Sequence, residues 1–309
     1  MCRPDARVSL VMLTHNRKRE VLRSLAKTYE LPEAPQVYLV DNGSRDGTAE
    51  AVRAQFPQLQ LVRLERNLGA AGRNYGVKRV HTPYVAFADD DTWWARGALR
   101  RAADILDAHP QLAVLSAKVL VGARELEDDA STRMAASPLA NDSGVPGSVV
   151  LGFMAGACMM RRTAFLAAGG YEPRFFFGGE ESLLALDLMS AGWVMAYAPD
   201  VIVRHHPSPV RNVSARRRMR HRNALWCAWL RRPWSAAVKE TRRLVREART
   251  DRSLALGLID GVWGLPWILA RRRVVPPRVE EALQQLDAFY AGDWAARALP
   301  ALDTCRQQP

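Results

Sequence analysis

The strongest constraint on how this chain folds is one local pattern used four times: a short apolar, β-rich run, cut off by Asp, Asn, Gly or Thr. Val8-Ser-Leu-Val-Met-Leu13 gives way to Thr14-His-Asn-Arg17 and then to a helical period carrying Val21, Leu22 and Leu25. Gln36-Val-Tyr-Leu-Val40 stops at Asp41-Asn-Gly-Ser-Arg-Asp-Gly-Thr48, a turn-forming cluster that also caps a helix over 49–55. Leu59-Gln-Leu-Val-Arg-Leu64 precedes Asn67-Leu-Gly-Ala-Ala-Gly-Arg-Asn-Tyr-Gly76, whose glycines open a further helix. The fourth run, Thr82-Pro-Tyr-Val-Ala-Phe-Ala88, ends in Asp89-Asp-Asp91. Strands alternating with helices, with polar loops at the strand C-terminal ends, specify a parallel α/β sheet that binds its ligand along that edge.

The three successive carboxylates have no Lys or Arg beside them in sequence. At the end of a buried strand they repel one another, and a hard divalent cation with oxygen ligands is their natural counterion. Mg²⁺ or Mn²⁺, shared with substrate phosphates, would neutralise a diphosphate leaving group. Taken alone, Asp-Asp-Asp reads more simply as a solvated acidic turn, and it is the rest of the chain that favours the metal.

Further along, a helix is expected from Trp94 to about Asp107 and a strand over Leu112–Ser116. The polar stretch Val121 to Gly147 reads as a mobile loop or irregular excursion. Phe153 to Met160 is an apolar run of small residues suited to close packing. Phe175-Phe-Phe-Gly-Gly-Glu-Glu-Ser182 leads into a helix over 183–191 that Gly192 ends. Two strands follow, Trp193 to Ala198 and Val201 to Ser208.

From Arg211 the composition shifts. Arg216, Arg217, Arg218, Arg220 and Arg222 crowd one helical segment, and a basic amphipathic helix lies around Lys239 to Arg249. Leu254 to Ala270 is strongly apolar, but at 17 residues it is shorter than the ~20 that span a bilayer. Flanked by Arg271-Arg-Arg273, it suits a helix lying in a membrane interface, and equally a core helix of a C-terminal subdomain. The net charge of +12 fits partners that carry phosphate. Cys2, Cys158, Cys227 and Cys305 lack zinc or disulfide spacing, and the N-terminus lacks a signal-peptide apolar core, so a cytoplasmic protein is expected.

The order of Thr14-His-Asn-Arg17, Asp41 to Thr48, Asn67 to Asn74, Asp89-Asp-Asp91, Glu180-Glu181 and His205-His-Pro-Ser208 resembles the inverting family 2 glycosyltransferases of the GT-A fold. The resemblance covers roughly residues 7–210. It implies a Rossmann-like α/β sandwich, with a nucleotide-sugar half over about 7–118 and an acceptor half over about 148–210 within a catalytic domain 1–210. A basic, mostly helical extension over 211–309 completes the chain, with a possible anionic membrane surface as its partner. Carried over residue by residue, the resemblance puts Thr14, Asn16, Arg17, Asp41, Asn42, Asn67, Gly69, Arg73, Asp89 and Asp90 around the nucleotide sugar. Asp41 would accept from the uracil or thymine ring N–H; its plain reading as a turn and cap residue is compatible with that role. Arg73 reads equally as a solvated helix-start residue. Asp91, with Asp89, would hold the metal, helped by His205 or His206; neighbours in an extended segment face opposite ways, so only one serves.

Glu180-Glu181 stands where the family commonly has Glu-Asp, which makes Glu181 the expected general base, with Gly178, Gly179 and Glu180 in a loop that closes over the acceptor. Two acids favoured by a helix N-terminus are the plain alternative. The implied reaction is metal-dependent inverting transfer from a UDP- or dTDP-sugar to a glycan or lipid-linked glycan. The competing functions are a nucleotidyltransferase of similar fold, which would need a glycine-rich basic signature after the first strand, and a nucleic-acid binder built on the Arg and Trp residues of the extension. No recognised nucleic-acid motif accompanies the latter, and no G-x-G-x-x-G follows the first strand.

Overall fold

The computed structural model describes residues 5–208 and 213–291. Ten strands form one sheet: β1 (Val8–Thr14), β2 (Gln36–Asp41), β3 (Gln60–Arg63), β4 (Tyr84–Asp89), β5 (Thr92–Trp94), β6 (Leu112–Val121), β7 (Leu126–Glu127), β8 (Ser148–Val149), β9 (Cys158–Arg161) and β10 (Val194–His205). Their helices are α1 (Lys18–Tyr29), α2 (Thr48–Gln55), α3 (Gly72–Val77), α4 (Ala98–Ala108), α5 (Asp129–Ala135), α6 (Arg162–Ala167) and α7 (Glu180–Ser190). A C-terminal layer adds α8 (Val213–Arg231), α9 (Trp234–Ala248), α10 (Arg252–Val262), α11 (Leu265–Arg271) and α12 (Pro277–Ala291).

The sheet runs β3-β2-β1-β4-β9-β6-β10-β5, with β7 on β6 and β8 on β10. Strands β3, β2, β1 and β4 are parallel, so Thr14, Asp41 and Asp89 all finish on one edge. Both faces of this half are covered: Leu10 and Met12 enter one core and Val11 the other, all at 0% exposure. This is why the runs read as continuously apolar rather than alternating.

Several elements differ from the sequence reading. Thr92–Trp94 is a strand, antiparallel to the end of β10, and the helix starts only at Ala98 behind a left-handed Gly97. The stretch Val121–Gly147 holds β7 and α5, the latter capped by the Asp128 side chain. The two expected strands after Gly192 are one strand, β10, with an irregularity between Ala198 and Ile202. Within the close-packed run before Arg161, β9 inserts antiparallel between β4 and β6.

The apolar run 254–270 is two helices bent by 59°. Gly257, Gly261 and Gly264 lie against α8 so closely that a Cβ would fall 2.5, 2.7 and 2.6 Å from its atoms, and Ile268 is fully buried. Among the described residues, no single helix is long and apolar enough to cross a membrane. Phe175, Leu183, Trp226, Leu230 and Ile268 form the core that joins this layer to α7. The boundary placed at 210/211 lies outside the described residues, as do Cys2 and Cys305, whereas Cys158 and Cys227 are free thiols.

Candidate active site

The strand ends are fastened to one another before they meet any ligand. Thr14 Oγ1 donates to Asp90 Oδ2 at 3.0 Å, and Arg17 Nη1 reaches Asp90 Oδ1 at 2.9 Å and Asp91 Oδ2 at 3.3 Å. Asn16, in a left-handed conformation, bridges to the second loop: its N–H donates to Ser44 Oγ at 2.9 Å and its Oδ1 accepts from the Arg45 N–H at 2.8 Å. Asn42 Nδ2 donates to Asn67 Oδ1 at 2.9 Å and to the Gly69 carbonyl at 3.0 Å, which pins the glycine-rich loop to the end of β2. Asp41 is fully buried; Oδ1 accepts from the Ser44 N–H at 2.9 Å, while Oδ2 has no hydrogen-bond partner and lies 3.9 Å from Arg63 Nε.

The acidic triplet separates into three environments. Asp89 pairs with Arg73, a buried guanidinium, and Gly156 is required opposite it because a Cβ there would fall 2.4 Å from Asp89 Oδ2. Asp90 points inward to Arg17; burial, reinforced by the charges of Asp91 and Asp89, pushes its carboxyl up to about 7 against the pull of Arg17. Burial would raise Asp91 too, but a hydrogen bond from His205, that ring's charge and Arg17 together hold it below the usual carboxylate range. The antiparallel pairing of β5 with β10 delivers this contact: His205 is opposite Thr92, and its Nε2 stands 3.5 Å from Asp91 Oδ1. His206 turns to the other side, where its ring stacks on Trp93 at 4.9 Å, outside the cleft. Of the two histidines considered as metal ligands, only His205 faces the acids.

Across the cleft, Glu180 and Glu181 begin α7 behind Gly178 and Gly179, both left-handed. Glu180 is 3% exposed and Glu181 half-buried. Burial raises both carboxyls, and the charge of Glu181 raises Glu180 further. Burial alone would lower the guanidinium of Arg73, but Asp89, with Tyr171 and the two glutamates, raises it instead, so it stays cationic between the two acidic groups. The glycine loop is packed against α8: a Cβ on Gly178 would fall 2.5 Å from Arg220 Cγ, and Asn223 Nδ2 holds the carbonyls of Phe175, Phe177 and Gly178 at 2.8, 3.1 and 2.6 Å.

These groups surround a cleft of about 610 Å³ that takes in Thr14, Arg17, Asn42, Asn67, Gly69, Arg73, Asp89 to Asp91, Glu180, Glu181 and His205. Phe153 to Ala157 and Phe176–Phe177 add to its lining, and a further wall is α8, through Ala215, Arg216 and Met219. Arg216 also covers the Phe177 ring at 4.5 Å. The sequence reading placed α8 in a separate basic extension. The periodic face Ala215, Met219, Asn223, Trp226, Leu230 is the signal that would have turned it toward the site.

The profile described as "Glycosyl transferase family 2" matches residues 9–167, just over half the chain. The chain belongs to glycosyl transferase family 2. It is thus a glycosyltransferase, and its α/β sheet has the GT-A fold, with a helical C-terminal region added to it. The chain is 26% identical over 235 residues, covering 64% of it and 75% of the relative, to the N-acetylglucosaminyl-diphospho-decaprenol L-rhamnosyltransferase of Mycobacterium tuberculosis. It also resembles the solved mannosyltransferase PcManGT from Pyrobaculum calidifontis in complex with GDP-Man and Mn²⁺, with a TM-score of 0.56 and 22% identity over 98% of this chain and 82% of that one. The S. aureus TarS 1–349 complex with UDP-GlcNAc gives a TM-score of 0.54 and 18% identity over 72% of this chain and 65% of that one.

Proposed function

We propose that this glycosyltransferase is metal-dependent and inverting, moving a sugar from a UDP- or dTDP-sugar to a hydroxyl of a glycan or lipid-linked glycan of the cell envelope. The observation that carries the reading is the meeting, in one cleft, of Asp91 with His205 on one wall and the Glu180-Glu181 pair on the other.

Among the described residues, no three His, Cys, Asp or Glu side chains form a ready-made metal cage. A Mg²⁺ or Mn²⁺ ion that takes most of its oxygens from a diphosphate and water needs only one or two protein ligands, and a carboxylate beside an imidazole is a suitable donor set. Asp91 and His205 would hold it, and it would draw off the charge that develops on the departing diphosphate. The Mn²⁺ in the mannosyltransferase complex supports this. Arg216, on the α8 wall, supplies a cation to the same leaving group.

Glu181 is the general base. Glu180, the more deeply buried of the pair, keeps its proton, which leaves Glu181 as the carboxylate that removes the acceptor hydroxyl proton. Asp89 is held by Arg73, so it is not set up as a nucleophile, and a single displacement with inversion follows. On the donor side, the buried Asp41 Oδ2, which has an ion-pair neighbour in Arg63 but no hydrogen bond, supports a ring N–H from the nucleobase. The name of the mycobacterial relative supports a lipid-linked acceptor. The two free thiols, Cys158 buried and Cys227 partly buried, suit a reducing cytoplasm.

The test is hydrolysis and binding of UDP-, dTDP- and GDP-sugars by the full chain with Mn²⁺, Mg²⁺ or chelator. Metal-dependent release of UDP or dTDP from one donor is the expected result. Turnover that is unchanged in chelator, or confined to a GDP-sugar, would refute the metal or the nucleotide part of the reading, respectively.

A further inference from the structure

The C-terminal layer presents a continuous apolar ridge to solvent. Along α10 and α11, Ile259, Val262, Trp263 and Leu269 are exposed, Trp263 to 84%, and so are Pro266 and Ala270. Within each helix these exposed positions follow one another at steps of one or three residues, and the two helices are joined by a short break and a 59° bend. The inward face is already satisfied by the glycines against α8 and by Ile268. The helix pair is therefore apolar on two sides, and packing within the described residues accounts for only one of them.

The rim of this ridge is basic. Arg249 and Arg252 at one end and Arg271 and Arg273 at the other are all exposed. Between Arg252 and Arg278 the one acidic residue is Asp260, and its carboxylate is taken by Arg218 at 2.5 and 2.6 Å. Residues 213–291 carry 17 Lys and Arg against 7 Asp and Glu, most of the net charge of the whole chain. An exposed Trp with aliphatic neighbours, ringed by arginines and free of unpaired acids, matches the boundary between acyl chains and anionic headgroups.

We infer that the outer ridge of α10 and α11 is a membrane seat, on which the enzyme rests against an anionic lipid surface without crossing it. The seat deepens the reading of a lipid-linked acceptor and rests on it for its purpose, though not for its test. Because α10 packs directly on α8, and α8 forms one wall of the cleft, seating the ridge brings the cleft to within about two helix diameters, ~20 Å, of the headgroups.

The experiment is flotation of the purified full chain with phosphatidylcholine vesicles, with and without phosphatidylglycerol, at low and high salt. The native protein should float only with the anionic vesicles and less so in high salt. Trp263→Ser with Leu269→Ser should lower the bound fraction by about tenfold or more, and Arg271→Ala with Arg273→Ala by about tenfold. Leu126→Ser, at an exposed residue on β7, should float like the native chain. All these residues lie on the surface, and an unchanged unfolding temperature would show that the variants fold. Flotation that is absent in the native protein, or equal in the Trp263 and Leu269 variant, overturns the inference. A concentration-dependent dimer that this variant abolishes would also overturn it and make the ridge a self-association face. Flotation without turnover of any nucleotide sugar would sink the enzymatic reading and leave the seat standing.

Discussion

Asn223 donates its side-chain amide to the carbonyl of Gly178 at 2.6 Å, which ties α8 to the loop that presents the acidic pair. The same nitrogen serves the carbonyls of Phe175 and Phe177. Asn223→Ala takes this donor from the Phe177 and Gly178 carbonyls, while Phe175 keeps the Arg222 guanidinium, and should cost ~1–3 kcal/mol of stability in urea unfolding. As a positioning residue, it should lower kcat while the donor KM stays within about twofold. Asn223→Asp keeps the shape but has no N–H to give, and should be as damaging as alanine. A harmless Asp variant would remove the hydrogen bonds from the explanation.

Glu181→Gln keeps the size of the side chain and removes the proposed base. Transfer should fall by roughly 10²–10⁴ with donor affinity unchanged, whereas Glu180→Gln should cost less in kcat. Steady-state kinetics on both variants decide the order, and a larger loss in the Glu180 variant would move the base to that residue.

Glu180 also makes stability depend on pH. Burial, then the charge of Glu181, pushes its carboxyl up to about 8 from an ordinary 4.5. Between those values the native state holds a proton that the unfolded chain has released, so stability falls as pH rises through this window. Glu180→Gln has no proton to lose. It should match the native unfolding temperature near pH 4.5 and exceed it by a few degrees, ~1–2 kcal/mol, near pH 8.5. Scanning fluorimetry at the two pH values checks the sign; a variant weaker at both would count against it.

The metal reading separates the neighbouring histidines. His205→Ala should weaken Mn²⁺ binding in the presence of UDP by roughly tenfold or more, and Asp91→Ala should abolish it. His206→Ala, with its ring on Trp93, should leave it nearly unchanged. Titration calorimetry with and without nucleotide gives the three values, and an effect of His206 equal to that of His205 would refute the assignment.

The edge of the sheet was legible because β1, β2 and β4 are apolar runs that stop abruptly, and a buried parallel strand leaves that mark whatever surrounds it. The period of two also showed that His205 and His206 face opposite ways. Which one meets Asp91 depends on the pairing of His205 with Thr92, a register between segments more than a hundred residues apart. The strand Thr92–Trp94 was hidden for the same reason, since three residues become a strand only when β10 supplies the partner. Asn223 and Arg216 were obscured by composition: on α8 the arginines outnumber everything else, and the inner stripe of Ala215, Met219, Trp226 and Leu230 is narrow. Asp41, Asp89 and Glu181 needed no tertiary information to be singled out, but the ion pair that holds Asp89 did.

The glycine-rich loop and the loop before α7 touch backbone to backbone. The Ala70 N–H donates to the Phe176 carbonyl at 2.7 Å, and a Cβ on Gly69 would stand 2.0 Å from that same oxygen. One loop lies on the side proposed for the donor and the other leads to the acidic pair, so the two loops interlock like adjoining teeth. Neither can lengthen, shift or take a side chain at the contact without displacing the other. Changes of specificity in such a site must then arrive as coupled substitutions, and an engineer who grafts a foreign donor loop has to transplant its acceptor counterpart with it.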